Sequence, residues 1–447
     1  MQQPQAQPAN GVNLTEQTAD FVAAHRTEDV RQLALKAKRV EGLDLPLALD
    51  QIAGWQIACK KLPQWASCEG IIYPPHISME QCSSQFTAQY KSEIAQTLLT
   101  PAVTVRARMS DSAESDTQET KTGVRVTDSP ESDTLVARSS MVDLTGGFGV
   151  DFSYLARGFS QATYLERQRH LCDLAEHNMA ALGLDQARIV CGDGVEYLRQ
   201  MDPVDFIYLD PARRDEHGSR TYAIEDCTPN VLELRDLLLA KSQCTLVKLS
   251  PMLDWRKAVA DFDGTVREVH IVATGNECKE LLLVLGQQVH EEPSAPRVFC
   301  VNDNQRIDYD SAAYTQGLRI GGKPLPEAKN YLYEPNASIM KAGCFDLVEE
   351  RFGVTQVGPS SHLFVSATPV ADFPGRGFAI EAIGGMNKKD IKRLLNGTKQ
   401  ANIAVRNFPL TAPQLRKKLK LADGGPVYLF GTTMQGCDHV LLRTSKI

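Results

Sequence analysis

The stretch that most limits what this chain can become is residues 141–151, MVDLTGGFGVD. An apolar run delivers Asp143, after which Thr145, Gly146, Gly147, Phe148 and Gly149 form a turn that opens into a helix. Glycines there let the backbone approach a ligand that a side chain would exclude. The same strand-then-acid arrangement recurs downstream. ATYLE ends a second apolar run on Glu166, followed by Arg167, at the ~20-residue interval where a carboxylate can take ribose hydroxyls. IVCGDG supplies Asp193 and Gly194 after a third run, and DFIYLDPARR supplies Asp210, Pro211 and Arg213 after a fourth. Strands alternating with helices, each strand ending in polar residues, predict an α/β, Rossmann-like sheet with its ligand site at the strand ends.

At 447 residues the chain exceeds one ordinary core, so several domains are expected. No apolar run approaches the ~20 residues needed to cross a bilayer. The start, MQQPQAQPANGVN, lacks the basic and apolar regions of a secretory signal, and the 11 cysteines show neither CxxC pairs nor nearby histidine pairs. A cytoplasmic protein with reduced thiols and no metal is the expectation.

Residues 14–100 carry apolar residues at helical spacing and read as an N-terminal helical domain. In it, Lys60, Lys61 and Lys91 read as solvated helix faces, and Ser78 with Gln81 has capping-box spacing, so Glu80, Gln81, Ser83 and Ser84 read as a helix end. Residues 101–138 are rich in Ser, Asp, Thr and Glu and read as a disordered acidic insert. The α/β core is expected over 139–287, closing with REVHIVATG and an antiparallel CKELLLVLG. A small α+β, ferredoxin-like module follows over 296–375, and a basic domain over 376–447.

Charge separates that last domain from the rest. Residues 381–447 hold twelve basic and four acidic residues, a net +8 in a chain whose total is −7. Such asymmetry is expected of a nucleic-acid-binding appendage. Helices starting near Met386 and Ala412 would display Lys388, Lys389 and Lys392 on one face and Arg416, Lys417 and Lys418 on another.

The order DLTGGFGVD, ATYLE, IVCGDG, DFIYLDPARR resembles the class I S-adenosylmethionine (SAM)-dependent methyltransferases, whose turn has the form D-x-x-x-G-x-G. With the helical N-terminal region and a basic end closing in HVLLRTSKI, the chain resembles a family of uncharacterised bacterial methyltransferases with a THUMP-like C-terminal domain. The resemblance implies that Asp143 and the backbone from Thr145 to Gly149 hold the amino-acid end of SAM, Glu166 its ribose and Asp193 its adenine amine. It also implies RNA as partner, tRNA ahead of rRNA.

In related enzymes that methylate exocyclic amines, an Asp or Asn before Pro-Pro and an aromatic residue accepts hydrogen bonds from the target amine. Here Asp210 and Pro211 keep those places, Ala212 replaces the second proline and Arg213 the aromatic, with Tyr222 a candidate for the missing ring. Carbon-5 methylation of uridine needs a cysteine nucleophile just after the next strand, whereas Cys244 lies ahead of TLVKLS. Methylation of a base nitrogen is therefore the expected chemistry. Two alternatives stay open: a non-catalytic SAM-binding RNA-binding protein, and a methyltransferase acting on a protein or small molecule.

Overall fold

The computed structural model describes residues 14–36, 41–100, 139–212, 224–287, 295–313, 325, 329–436 and 438–447. The acidic insert expected over 101–138 lies outside them, as do Arg213 and Tyr222. The chain divides into two compact units, residues 1–266 with 282–293 and residues 267–281 with 294–447.

The first unit is built on five parallel strands: β1 (Ser140–Asp143), β2 (Gln161–Glu166), β3 (Ala187–Cys191), β4 (Val204–Leu209) and β5 (Ser242–Leu249). Their order is β3-β2-β1-β4-β5, every neighbouring pair parallel. β1 lies between β2 and β4, so the order reverses there, and the crevice beyond the carboxyl ends of β1 and β4 is where such sheets bind ligands. Burial of Met141, Val142, Phe206, Ile207, Leu246 and Val247 explains the near-continuous apolar runs, since helices cover a parallel sheet on both faces.

The intervening helices are α7 (Val150–Leu155), α8 (Arg169–Ala181), α9 (Gly194–Gln200), α10 (Val231–Lys241) and α11 (Trp255–Asp261). Among the described residues, six further helices precede β1: α1 (Glu16–His25), α2 (Val30–Lys36), α3 (Leu45–Lys61), α4 (Pro63–Ser67), α5 (His76–Gln81) and α6 (Gln85–Leu99). They are tied to the sheet layer by buried polar bonds. The Trp65 indole donates to Ser153 Oγ at 3.2 Å. The Asn178 side chain bridges both backbone groups of Ile72 at 2.9 Å each. Ser84 caps α6 by accepting from Thr87 N, and Ser78 lies inside α5, so the capping-box reading of Ser78 and Gln81 is corrected.

The runs REVHIVATG and CKELLLVLG form β6 (Val266–Thr274) and β7 (Glu277–Gly286). In the second unit, β8 (Arg297–Asn302) pairs in parallel with β6 and antiparallel with β9 (Gln305–Asp310). A seven-stranded sheet follows, made of β10 (Tyr331–Pro335), β11 (Thr355–Gln356), β12 (Phe364–Ser366), β13 (Gly375–Gly384), β14 (Asn402–Arg406), β15 (Val427–Thr433) and β16 (His439–Lys446). Its order is β11-β12-β10-β13-β16-β15-β14, and only β14 and β15 pair in parallel.

Adjacent residues of this sheet serve opposite cores: Phe430 and Leu442 join one cluster, Leu429 and Leu441 the other. The second cluster also takes Leu394 from α14 (Lys388–Leu395) and Leu415 and Leu419 from α15 (Ala412–Leu419), so both helices cover one face of the sheet. The other helices among the described residues of this unit are α12 (Ala337–Ala342) and α13 (Phe345–Phe352). No helix among the described residues is long and apolar enough to cross a membrane.

Candidate active site

A cavity of ≈ 230 Å³ opens at the carboxyl ends of β1 and β4. Its wall includes Asp143, Thr145, Gly146, Gly147, Phe148, Gly149, Asp151, Tyr208, Asp210 and Lys248, together with Ser78, Gln81, Cys82 and Ser83 from the N-terminal helices. The turn is shaped by close approaches. A Cβ on Gly146 would sit 2.1 Å from the Tyr164 ring, and one on Gly194 would sit 2.2 Å from the Leu144 carbonyl oxygen. Gly147 is different. Its φ is +54°, and a Cβ there would meet nothing nearer than Thr145 O at 3.8 Å, so the open space beside it belongs to the cavity. The Tyr164 hydroxyl donates to the Gly147 carbonyl, while Phe148 packs on Trp65 with centroids 5.0 Å apart.

Asp143 and Glu166 bond to this turn while Asp193 does not, and of these three strand-end acids Asp143 alone lines the cavity. Asp143 Oδ1 accepts from Thr145 N at 2.9 Å, whereas its buried Oδ2 has no partner among the described residues. Burial pushes Asp143 well above the ordinary carboxylate range; the Thr145 N–H pulls it down, and Asp151, Asp210 and Glu166 add to the rise. Glu166 accepts from Gly147 N at 3.0 Å and from Gln168 N at 2.9 Å, which ties β2 to the glycine turn. Asp193 caps α9, accepting from Val195 N and Glu196 N at 2.8 and 3.0 Å, and pairs with Arg167 at 2.6 Å. Those bonds hold Asp193 below its usual range, the Glu196 N–H most strongly.

Asp210 follows β4. Its backbone N–H donates to Thr145 Oγ1 at 2.6 Å, fixing the strand end against the turn, and its Oδ2 receives Lys248 Nζ at 2.5 Å. Pro211 is buried, and Ala212 pairs through both backbone groups with Thr228. Behind Lys248 stands a group that sequence reasoning missed. Asp151 pairs with Lys91 Nζ at 3.1 Å and with Lys248 Nζ at 3.7 Å, and its Oδ2 accepts from Ser83 at 2.9 Å and Tyr208 at 2.7 Å. Burial alone would raise Asp151, but Lys91 and Lys248, with the Tyr208 and Ser83 hydroxyls, hold it at about 2.

Lys91 is fully buried, which overturns its reading as a solvated face, and Lys61 donates to the carbonyls of Met79 and Glu80. The signal for Lys91 was available, because Thr87, Ala88, Ile94 and Ala95 place it on the buried stripe of α6. β5 begins at Ser242, ahead of TLVKLS, so Cys244 lies within the strand and not before it.

The basic residues of the second unit sort into two groups. Lys388, Lys389, Lys392, Lys417 and Lys418 are exposed on α14 and α15. Arg416 pairs with Asp423, Arg443 with Glu381 and Arg406 with Glu334, so part of the positive charge is spent inside the fold.

A crystal structure from Porphyromonas gingivalis W83, of a protein assigned as a methyltransferase without established activity, is 30% identical over 96% of this chain and 97% of that one, with a TM-score of 0.77. The chain belongs to the family of that protein. Within it, residues 331–374 match a ferredoxin-like domain and residues 375–446 a THUMP domain-like family. A SAM-dependent methyltransferase from Agrobacterium tumefaciens (18% identity, 34% of this chain and 56% of that one, TM-score 0.27) and the human methyltransferase 10 domain containing protein (12%, 52% and 97%, 0.35) also align. Their TM-scores add nothing to the assignment. No curated protein matches the sequence at a significant level. The cavity lies at the switch point of the first unit's five-stranded layer.

Proposed function

We propose that this methyltransferase acts on RNA, methylating a base nitrogen in tRNA or rRNA, with SAM as methyl donor. One observation carries the reading: a glycine turn with open space at Gly147 and an unpartnered buried Asp143 oxygen shares its cavity with Asp210, which needs none of its side-chain oxygens for the turn. SAM supplies a methyl group on a positively charged sulfur. An acid-lined cavity suits that charge, and Asp143 Oδ2 is an acceptor for a ligand ammonium group.

The chain's own residues divide the work. Asp143 and the backbone from Thr145 to Gly149 hold the amino-acid end of the donor. Glu166 retains lone pairs beyond its two backbone bonds and takes the ribose; Asp193 and Gly194 stand at the adenine side, where Asp193 contributes the lone pairs left by its cap and the Arg167 pair. Asp210 Oδ1 and the Pro211 carbonyl accept from the target amine, so that its nitrogen faces the methyl carbon. A donor bound there would supply the methyl carbon, the carbon–sulfur bond breaking with its electron pair left on a now neutral sulfur; the nitrogen that gains the methyl group sheds one proton to the Asp210 carboxylate, which passes it to solvent.

RNA is supported by the THUMP domain-like match and by the exposed lysines. α14 and α15 cover the same face of their sheet and carry the exposed Lys388, Lys389, Lys392, Lys417 and Lys418, while Arg416 is held in its pair with Asp423. Nucleoside mass spectrometry of separated tRNA and rRNA from a deletion strain and its parent tests the proposal. Loss of one methylated base is the expected result, and identical profiles in both pools would refute it.

A further inference from the structure

We infer that Lys248 is a positioning residue for methyl transfer, holding Asp210 in its working orientation; the inference rests on the role proposed for Asp210. The side chain of Asp210 is 37% exposed, and without a partner its carboxylate would rotate freely. Lys248 Nζ lies 2.5 Å from Oδ2, a charge-assisted bond that fixes that oxygen and turns Oδ1 to the acceptor. Lys248 is itself held. Its side chain is 14% exposed, with Asp151 Oδ2 at 3.7 Å and Ser83 Oγ at 3.4 Å on its other side, and fully buried Lys91 anchors Asp151 from behind. The charges alternate, Lys91, Asp151, Lys248, Asp210, and two of each sign leave the row neutral. Such support behind a reacting side chain restricts it to the productive geometry.

A lysine at this position has a competing use. Its ammonium group would equally well bind the carboxylate of SAM, and the two roles predict different losses. If Lys248 acts through Asp210, Lys248→Met lowers kcat by ~10–100-fold while SAM affinity and the KM for RNA change less than about threefold. Lys248→Arg, which keeps the charge and the donor, recovers a substantial part of the lost kcat. Folding is not at risk from the Met variant in the way an orphaned acid would put it at risk, because Asp151 keeps Lys91.

The experiment measures steady-state transfer of labelled methyl to total RNA for wild type, Lys248→Met, Lys248→Arg and Asp210→Ala, with SAM affinity of each by calorimetry. The inference stands if Lys248→Met loses kcat at unchanged SAM affinity and Lys248→Arg restores it. It falls if Lys248→Met transfers at the wild-type rate, or if its loss lies in SAM affinity. Asp210→Ala reports separately on the reading beneath: an active Asp210→Ala removes the role proposed for Asp210, whereas an inactive Asp210→Ala beside a fully active Lys248→Met removes only the role of Lys248.

Discussion

Gly147→Ala and Gly183→Ala form a matched pair that separates backbone strain from ligand contact. Both glycines have positive φ, +54° and +69°, and a Cβ at either site makes no close contact, the nearest atom to Gly147 being Thr145 O at 3.8 Å. A left-handed conformation costs a non-glycine residue roughly 1–2 kcal/mol. Each variant should therefore lose about that much stability, a fall in Tm of about 2–8 °C for a unit of this size. Only Gly147 borders the cavity. Its methyl group occupies ligand space, so Gly147→Ala should weaken SAM by ~10-fold or more, worth about 1.4 kcal/mol, and Gly147→Val should abolish measurable binding. Gly183→Ala should bind SAM as wild type does. Calorimetric titration beside thermal unfolding reads both quantities, and equal SAM affinities for the two alanine variants would refute the placement of the donor.

Other consequences follow from the acids and the lysines. Asp143 is raised in the folded protein, so it binds protons there more tightly than when unfolded; it costs no stability below its unfolded value of about 4 and progressively more as pH rises toward its folded one. Asp143→Asn should therefore raise Tm of the ligand-free protein at pH 8 more than at pH 4 while removing SAM affinity, and a variant less stable at pH 8 would contradict the sign. Glu166→Ala should weaken SAM by about 1–3 kcal/mol, since it removes a charged acceptor and releases Gly147 N; an effect below calorimetric error would place the ribose elsewhere. Replacing Lys417 and Lys418 together by Gln should lower the log–log salt slope of RNA binding by up to ~2, and an unchanged slope would move the RNA surface off α15.

Local patterns carried much of this site. An acid, three glycines and a helix within eleven residues need no distant partner to be read, and the open face at Gly147 follows from that turn. The Asp210–Pro211 strand end could be read for the same reason. The row behind it could not, because Lys91, Asp151 and Lys248 are brought together from α6, α7 and β5, and no spacing rule links a lysine on a helix with one on a strand. Lys91 was misread since a single lysine carries a strong prior for solvent, although its helical neighbours marked a buried stripe. Asp193 shows the opposite error of emphasis. Its sequence position before GVEYLRQ is also that of a helix cap, and the cap takes most of its bonding.

Transfer of methyl groups to RNA is the decisive activity. Wild type and Asp210→Ala, each shown by calorimetry to bind SAM with similar affinity, should be compared for incorporation of labelled methyl into total RNA from a deletion strain. The account predicts incorporation by wild type and a ~100-fold or greater loss in Asp210→Ala, as expected when an interaction acts mainly in the transition state. SAM binding without incorporation into any RNA, or equal rates for the two proteins, would contradict it.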